Sequence, residues 1–254
     1  MIFQYINYIN RKLFKFQPDF KKIKNIKKFG TFYGGYEIFV KNLLKPRVIS
    51  CGVGEDISFD IELINNFDAK IILVDPTPRA INYYNVLKKH FGIYNPKKYN
   101  ESGKISVKNY NLKKINSQNL ILEKKAIWDK GNIELKLFFP LNKEHVSLSI
   151  NKKCLYQDFF SARTITIKEI IKKYSLDRID ILKLDVEGCE INVLNFIIEN
   201  KIFPKQVIVE YDLKKKPSIT SYFKLINIHK KILKNNYFLC YVNKKGDFLY
   251  LLND

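Results

Sequence analysis

The chain has 254 residues, 46% of them apolar and 14% aromatic. That is ample for the packed core of one large domain or two small ones and excludes a disordered chain. Lys and Arg (45) against Asp and Glu (25) give a net charge of +20, but forty of the basic residues are Lys and only five are Arg. Base and phosphate readout favours the planar Arg fork, so the excess reads as a solvated Lys-rich surface before it reads as a nucleic-acid site.

Cys51, Cys154, Cys189 and Cys240 lie far apart with no Cys-x-x-Cys pair, which argues against a disulfide framework or a structural zinc site. No stretch approaches the roughly 18 apolar residues of a membrane span. The opening MIFQYINYINRKLFKF places its charge after its apolar part, the wrong order for a secretory signal. A reduced, cytoplasmic chain is the simplest reading, and nothing in the sequence specifies an oligomeric state.

Residues 1–30 form a basic N-terminal segment, with Arg11 and seven Lys against Asp19 alone. Ile2, Tyr5, Ile6, Ile9 and Leu13 fall at helical spacing and predict an amphipathic helix. Such a helix either makes peripheral contact with an anionic membrane or packs on the main domain, residues 31–254; packing is the expected outcome. After Pro46 the chain reads as strands and helices in alternation. Val48–Cys51 is a strand, followed by a helix carrying Ile57, Ile61, Leu63 and Ile64. Ile71–Val74 is the next strand, and a helix from Arg79 to His90 stops at Gly92. Residues 93–119 are polar and read as a loop-rich insertion. Strands return at Leu120–Lys124, Glu134–Phe138 and Arg163–Ile167, then a helix to Tyr174 and a strand over Ile179–Leu184. A helix follows with Ile191, Leu194, Ile197 and Ile198 as its buried face. Gln206–Val209 is a strand, Ser218 caps a helix to Asn235, and Tyr237–Val242 with Phe248–Leu251 close as a hairpin. This alternation predicts an α/β fold with a mostly parallel sheet and helices on both faces.

Ligands of such sheets bind outside the carboxyl ends of the strands, where strand order reverses. The candidate groups all sit there: Cys51, Gly52, Val53, Gly54, Glu55 and Asp56 after the first strand, Asp75 after the second, Asp185 and Glu210 after the fourth and fifth. Gly52 and Gly54 let the backbone approach a ligand closely. The dinucleotide fingerprint would have a third glycine at Ile57, and Asp56 at a helix start either repels a pyrophosphate or serves as an N-cap. The loop therefore suits a ligand without phosphates, such as S-adenosylmethionine. Asp75 can accept both hydroxyls of an adenosine ribose; its alternative is a turn-initiating Asp before Pro76. Lys183 and Asp185 share a strand face, a costly placement unless they face each other, a ligand or a metal. Asp185 and Glu187 read as functional, and Glu190 equally as a carboxylate that biases the next helix start. Asp185, Glu187, Glu210 and Asp212 together also form an oxygen set able to hold a divalent cation; the sequence leaves that open and assigns no metal site.

The segments VISCGVGEDISFD (48–60), VDPTP (74–78), HVSLS (145–149), ILKLDVEGCE (181–190) and IVEY (208–211), in this order, resemble the FkbM-type family of S-adenosylmethionine-dependent methyltransferases over roughly residues 30–212. The resemblance implies a class I, Rossmann-like methyltransferase fold with seven strands. It also implies methyl transfer to an oxygen, commonly a hydroxyl of a sugar or a glycosylated small molecule. It places Gly52, Val53 and Gly54 against the methionine part of the cofactor, Asp75 on the ribose, and Pro76 and Thr77 beside the adenine. Ala126 and Ile127 line the adenine pocket, and Asp185 and Glu187 face the methyl group and acceptor. Gly34-Gly35-Tyr36 resembles a glycine-rich lid. The chain departs from the family pattern in having Tyr33 where Asp is usual, Ser50 where many members have an acid, and Asp212 in place of a frequent His.

An alcohol is a poor nucleophile while protonated, so a general base within hydrogen-bond reach is expected; Asp185, Glu187 and His145 are the candidates, in that order. His90 reads as a helix C-terminal residue and His229 as a core residue. The alternative to an O-methyltransferase acting on a glycan, glycolipid or glycosylated precursor is a basic RNA- or membrane-binding protein on a weak or inactive methyltransferase fold. The acids at 75, 185 and 187 favour the enzyme, because a binding module has no need of them.

Overall fold

The computed structural model describes residues 12–95, 105–139, 148–150, 158–215, 217–243 and 245–253. A short antiparallel pair comes first, β1 (Ile26–Phe29) and β2 (Tyr36–Phe39). Then follow β3 (Arg47–Cys51), α1 (Ser58–Phe67), β4 (Lys70–Val74), α2 (Pro78–Lys88), β5 (Leu120–Glu123), β6 (Ala126–Ile127), β7 (Glu134–Phe138), β8 (Phe159–Ile165) and α3 (Ile167–Lys173). The chain closes with β9 (Ile181–Leu184), α4 (Glu190–Glu199), β10 (Gln206–Glu210), α5 (Asp212–Lys215), α6 (Ile219–Lys234), β11 (Tyr237–Val242) and β12 (Asp247–Leu252).

The main sheet has seven strands in the order β11-β12-β10-β9-β3-β4-β5. Five of them, β10 to β5 in that order, pair in parallel, while β12 runs antiparallel between β10 and β11. The chain leaves β3 toward β4 and β5 and later returns to β9 on its other side, so strand order reverses at β3. A separate three-stranded sheet, β6-β8-β7, stands beside it.

Period-two alternation divides the central strands between two cores. Val48, Ile71, Leu73, Ile181 and Ile208 face one core with α1 and α2. Ile49, Cys51, Ile72, Val74, Leu182, Leu184, Val207 and Val209 face the other, with α3, α4 and α6. Helix starts are fixed by side chains the sequence marks for the purpose: Thr77 caps α2 ahead of Pro78, Thr166 and Glu169 form a capping box on α3, and Ser218 caps α6.

Several expectations are revised. The described part of the expected insertion, from residue 105 on, is loop-rich with one short turn at Val107–Asn109, but it is not simply polar: Ile105, Val107, Tyr110, Leu112 and Ile115, the apolar minority of a Lys- and Asn-rich stretch, are buried against α1 and α2. On α4 Val193 takes the core position with Leu194 and Ile197, and Ile191 and Ile198 are half-buried. In the N-terminal segment the spacing-based helix lies largely outside the described residues. Phe16, however, is buried against Tyr211, His229 and Phe248. No helix among the described residues is long and apolar enough to cross a membrane.

Candidate active site

The carboxyl ends of β3, β4, β9 and β10 open into one cleft. Of the sequence-derived candidates it is lined by Gly52, Val53, Gly54, Glu55, Asp56, Asp75, Pro76, Thr77, Ala126, Ile127, Asp185, Glu187 and Glu210. Cys51 is corrected: it alternates to the opposite face, is fully buried in the second core, and burial pushes its thiol up to about 12. His145 and Cys154 lie outside the described residues.

The glycine loop is built from its own sequence. Gly52 has φ +83°, and a Cβ there would sit 1.8 Å from the Asp185 carbonyl oxygen, so only glycine lets β3 and β9 close at this point. Asp75 pins the loop from the next strand. Its Oδ2 accepts from the Val53 N–H (2.9 Å) and Gly54 N–H (3.3 Å), and its Oδ1 accepts from the N–H and hydroxyl of Thr77 (2.9 and 2.7 Å). Asp75 thus does start the turn before Pro76, and it also shapes the glycine loop. Asp56 accepts from the Ser58 N–H (2.9 Å) at the start of α1 and from the Thr31 hydroxyl (2.6 Å). That second bond ties the segment between β1 and β2 over the cleft, where Tyr33, Gly34 and Tyr36 join its lining. Glu55 pairs with Arg79 at 2.9 Å.

Lys183 resolves the cost of a charge on a core strand in a way the sequence did not indicate. It does not pair with Asp185; its ammonium donates to the carbonyls of Gly52 (2.6 Å) and Cys51 (3.4 Å) and lies 4.9 Å from the centre of the Tyr36 ring. The Tyr36 hydroxyl in turn donates to Asp185 Oδ2 at 2.6 Å. Burial and the neighbouring Asp185 carboxylate raise the Tyr36 pKa far above its ordinary value, so the tyrosine stays a proton donor.

On the outer side, Lys215 of α5 bridges Glu187 (3.0 Å) and Glu210 (2.9 Å). Burial lifts Glu210 to about 7, with the Asp185 charge adding to it and Lys215 opposing it. The oxygen set considered for a divalent cation is therefore bridged by an ammonium, and the described residues contain no grouping of His, Cys, Asp and Glu arranged to hold a metal. Ser149, from the HVSLS segment, donates to the Glu187 carbonyl at 3.0 Å. Glu190 takes the helix role: its carboxylate accepts from the Gly188 N–H at 2.8 Å, and burial raises it to about 8. His90 Nδ1 lies 3.0 Å from the Val86 carbonyl past the end of α2, and His229 Nδ1 lies 3.0 Å or less, at 2.9 Å, from the Tyr250 hydroxyl in the core.

Sequence reasoning missed Lys215, Asp247 and Asp60, which also line the cleft, and the role of Tyr36. Lys215 is one of three consecutive lysines among forty in the chain, and nothing in its spacing sets it apart. The family described as Methyltransferase FkbM domain matches residues 39–237 of the chain. No curated protein matches it.

Proposed function

The chain belongs to the FkbM methyltransferase family, and from that membership we propose that it is a class I, Rossmann-like, S-adenosylmethionine-dependent O-methyltransferase. Its acceptor is a hydroxyl, of a sugar in a glycan, glycolipid or glycosylated precursor. The observation that carries this reading is the meeting, at the point where strand order reverses, of a glycine loop with a carboxylate held by a buried tyrosine. The antiparallel β12 inserted between β10 and β11 supports the class I assignment.

The lining suits the cofactor. Val53, Val74, Pro76, Ala126 and Ile127 offer an apolar side for an adenine, and Asp60, Asp75 and Asp185 offer carboxylates for hydroxyls and positive charge. The loop's own side chains, Glu55 and Asp56, disfavour a phosphorylated ligand. In this reading Asp75 accepts from the ribose, and the loop from Gly52 to Gly54 receives the methionyl end. When bound, the cofactor supplies a methyl group already activated by its sulfonium.

The chain's residues then align the acceptor and take its proton. Tyr36 fixes Asp185 Oδ2, which leaves Oδ1 to accept the hydroxyl proton as general base. Glu187 and Glu210, held by Lys215, offer acceptors for neighbouring hydroxyls. The carboxylates at the acceptor end disfavour nucleic acid there despite the basic surface. The test is transfer of a labelled methyl group from S-adenosylmethionine to a panel of free and lipid-linked glycosides. Label recovered in a base-stable methyl ether supports the proposal. Label recovered only in RNA or in protein amines overturns it.

A further inference from the structure

The core uses one stripe of α6, made of Ser221, Leu225, Ile228 and Ile232. Ile219 and Phe223, four residues apart and so on one face, lie off that stripe and are each 56% exposed. Beside them Phe14 packs on Tyr222, with ring centres 6.2 Å apart, and brings in its neighbour Leu13, which is 65% exposed. An apolar groove runs between the two segments, lined by Phe14, Leu213, Pro217, Tyr222 and Leu225. Lone apolar residues on a surface are ordinary, whereas large ones gathered round an apolar groove mark a binding face.

The segments that build this face carry cations and no acid. Residues 12–18 hold two Lys and residues 213–246 hold nine, and neither stretch contains an Asp or a Glu. Lys15, Lys214 and Lys215 line the groove, and Lys12 and Lys224 adjoin Leu13 and Phe223 in the chain. Among the described residues Lys12, Lys15, Lys214 and Lys224 form no ion pair. Lys215 also lines the cleft that holds Asp185 and Glu187, so the face adjoins the acceptor end of the site.

A nucleic acid would match the lysines but would gain nothing from an exposed Leu13 and Ile219. A second copy meeting this face by the same face would set lysines against lysines. An anionic bilayer matches both features: its phosphates take the ammonium groups and its acyl boundary takes the apolar side chains. We propose that this face docks the chain on an anionic membrane surface, with Leu13, Ile219 and Phe223 at the acyl boundary and the acceptor end of the cleft beside the lipid. The inference goes beyond the methyl-transfer reading and does not depend on it.

The test is flotation of the full-length chain with vesicles of phosphatidylcholine alone and of phosphatidylcholine mixed with phosphatidylglycerol, with no cofactor added. Partition onto the anionic vesicles should exceed that onto the neutral ones by roughly tenfold or more. Ile219→Ser combined with Phe223→Ser should weaken it roughly tenfold, and Leu13→Ser about threefold, since these changes remove apolar area and leave the charge as it is. Leu44→Ser, an exposed leucine before β3 and away from this face, should leave it unchanged. All four side chains are exposed, so the fold survives their replacement. Equal partition onto both vesicle types, no partition, or partition that the apolar substitutions leave intact overturns the inference. So does binding to RNA without binding to vesicles. Self-association in place of vesicle binding, abolished by Ile219→Ser with Phe223→Ser, overturns it too and makes the face a contact between copies. None of these outcomes bears on cofactor binding, which titration with S-adenosylhomocysteine reports separately.

Discussion

The Tyr36 hydroxyl donates to Asp185 Oδ2 across 2.6 Å and joins residues 149 positions apart. Through that bond a residue of the N-terminal β1–β2 pair orients a carboxylate at the end of a central strand. Tyr36→Phe removes the donor and keeps the ring over Lys183. Turnover should fall roughly tenfold to a hundredfold, the scale expected of a misaligned base, while affinity for S-adenosylhomocysteine stays within about twofold. Parallel loss of affinity, measured by calorimetry, would show that Tyr36 acts through the loop and not through Asp185.

Asp75 holds three backbone N–H groups, those of Val53, Gly54 and Thr77. Asp75→Ala leaves them without their acceptor. We expect a loss of stability of about 2–4 kcal/mol together with loss of cofactor binding. Asp75→Asn, which keeps one acceptor oxygen, should fall between. Urea denaturation and titration with S-adenosylhomocysteine check the two effects, and unchanged affinity in Asp75→Ala would remove Asp75 from the binding site.

Glu190 should make stability depend on pH. Burial raises its carboxyl to about 8 from an ordinary value of 4.5. Between those values the folded protein holds a proton that the unfolded chain has released, so stability declines as pH rises, by at most about 1.4 kcal/mol per unit. Glu190→Gln retains an acceptor for the Gly188 N–H and removes the titration. In denaturant titrations the variant should match the wild type near pH 4 and gain on it steadily up to about pH 8. A constant difference across that range would contradict the assignment.

Phe16 packs edge-on against Tyr211 and His229 and at a tilt against Phe248. Phe16→Ala should lower stability by about 3–5 kcal/mol, as for other buried aromatics. A thermal midpoint equal to that of the wild type would mean that the N-terminal segment contributes nothing to the core.

The central strands were legible because they are buried on both faces. RVISC, KIILV and QVIVE are near-continuous apolar runs; KIILV and QVIVE end on Val74 and Glu210, which line the cleft, and RVISC ends one residue before the glycine loop that does. The glycine loop, Asp75 and Asp185 followed from the same pattern. β1 and β2 went unread: IKKF and YEIF are four-residue pieces with charges inside them, and among the described residues they pair with each other alone. Tyr36 and Asp60 were hidden for a related reason. Each reaches the cleft from an element whose placement over β3 and β9 is a tertiary fact, and an aromatic or an acid at a strand or helix start has ordinary local explanations. Cys51 erred the other way, since adjacency to a glycine loop says nothing about which sheet face a side chain takes.

The central claim is that the cleft holds the cofactor while Asp185 acts on the acceptor. It is tested most directly by calorimetric titration of S-adenosylhomocysteine into the wild-type chain and into Asp185→Asn. Micromolar binding by both is expected, with affinities within a few-fold. Absence of binding by the folded wild type, or loss of binding confined to Asp185→Asn, would contradict it.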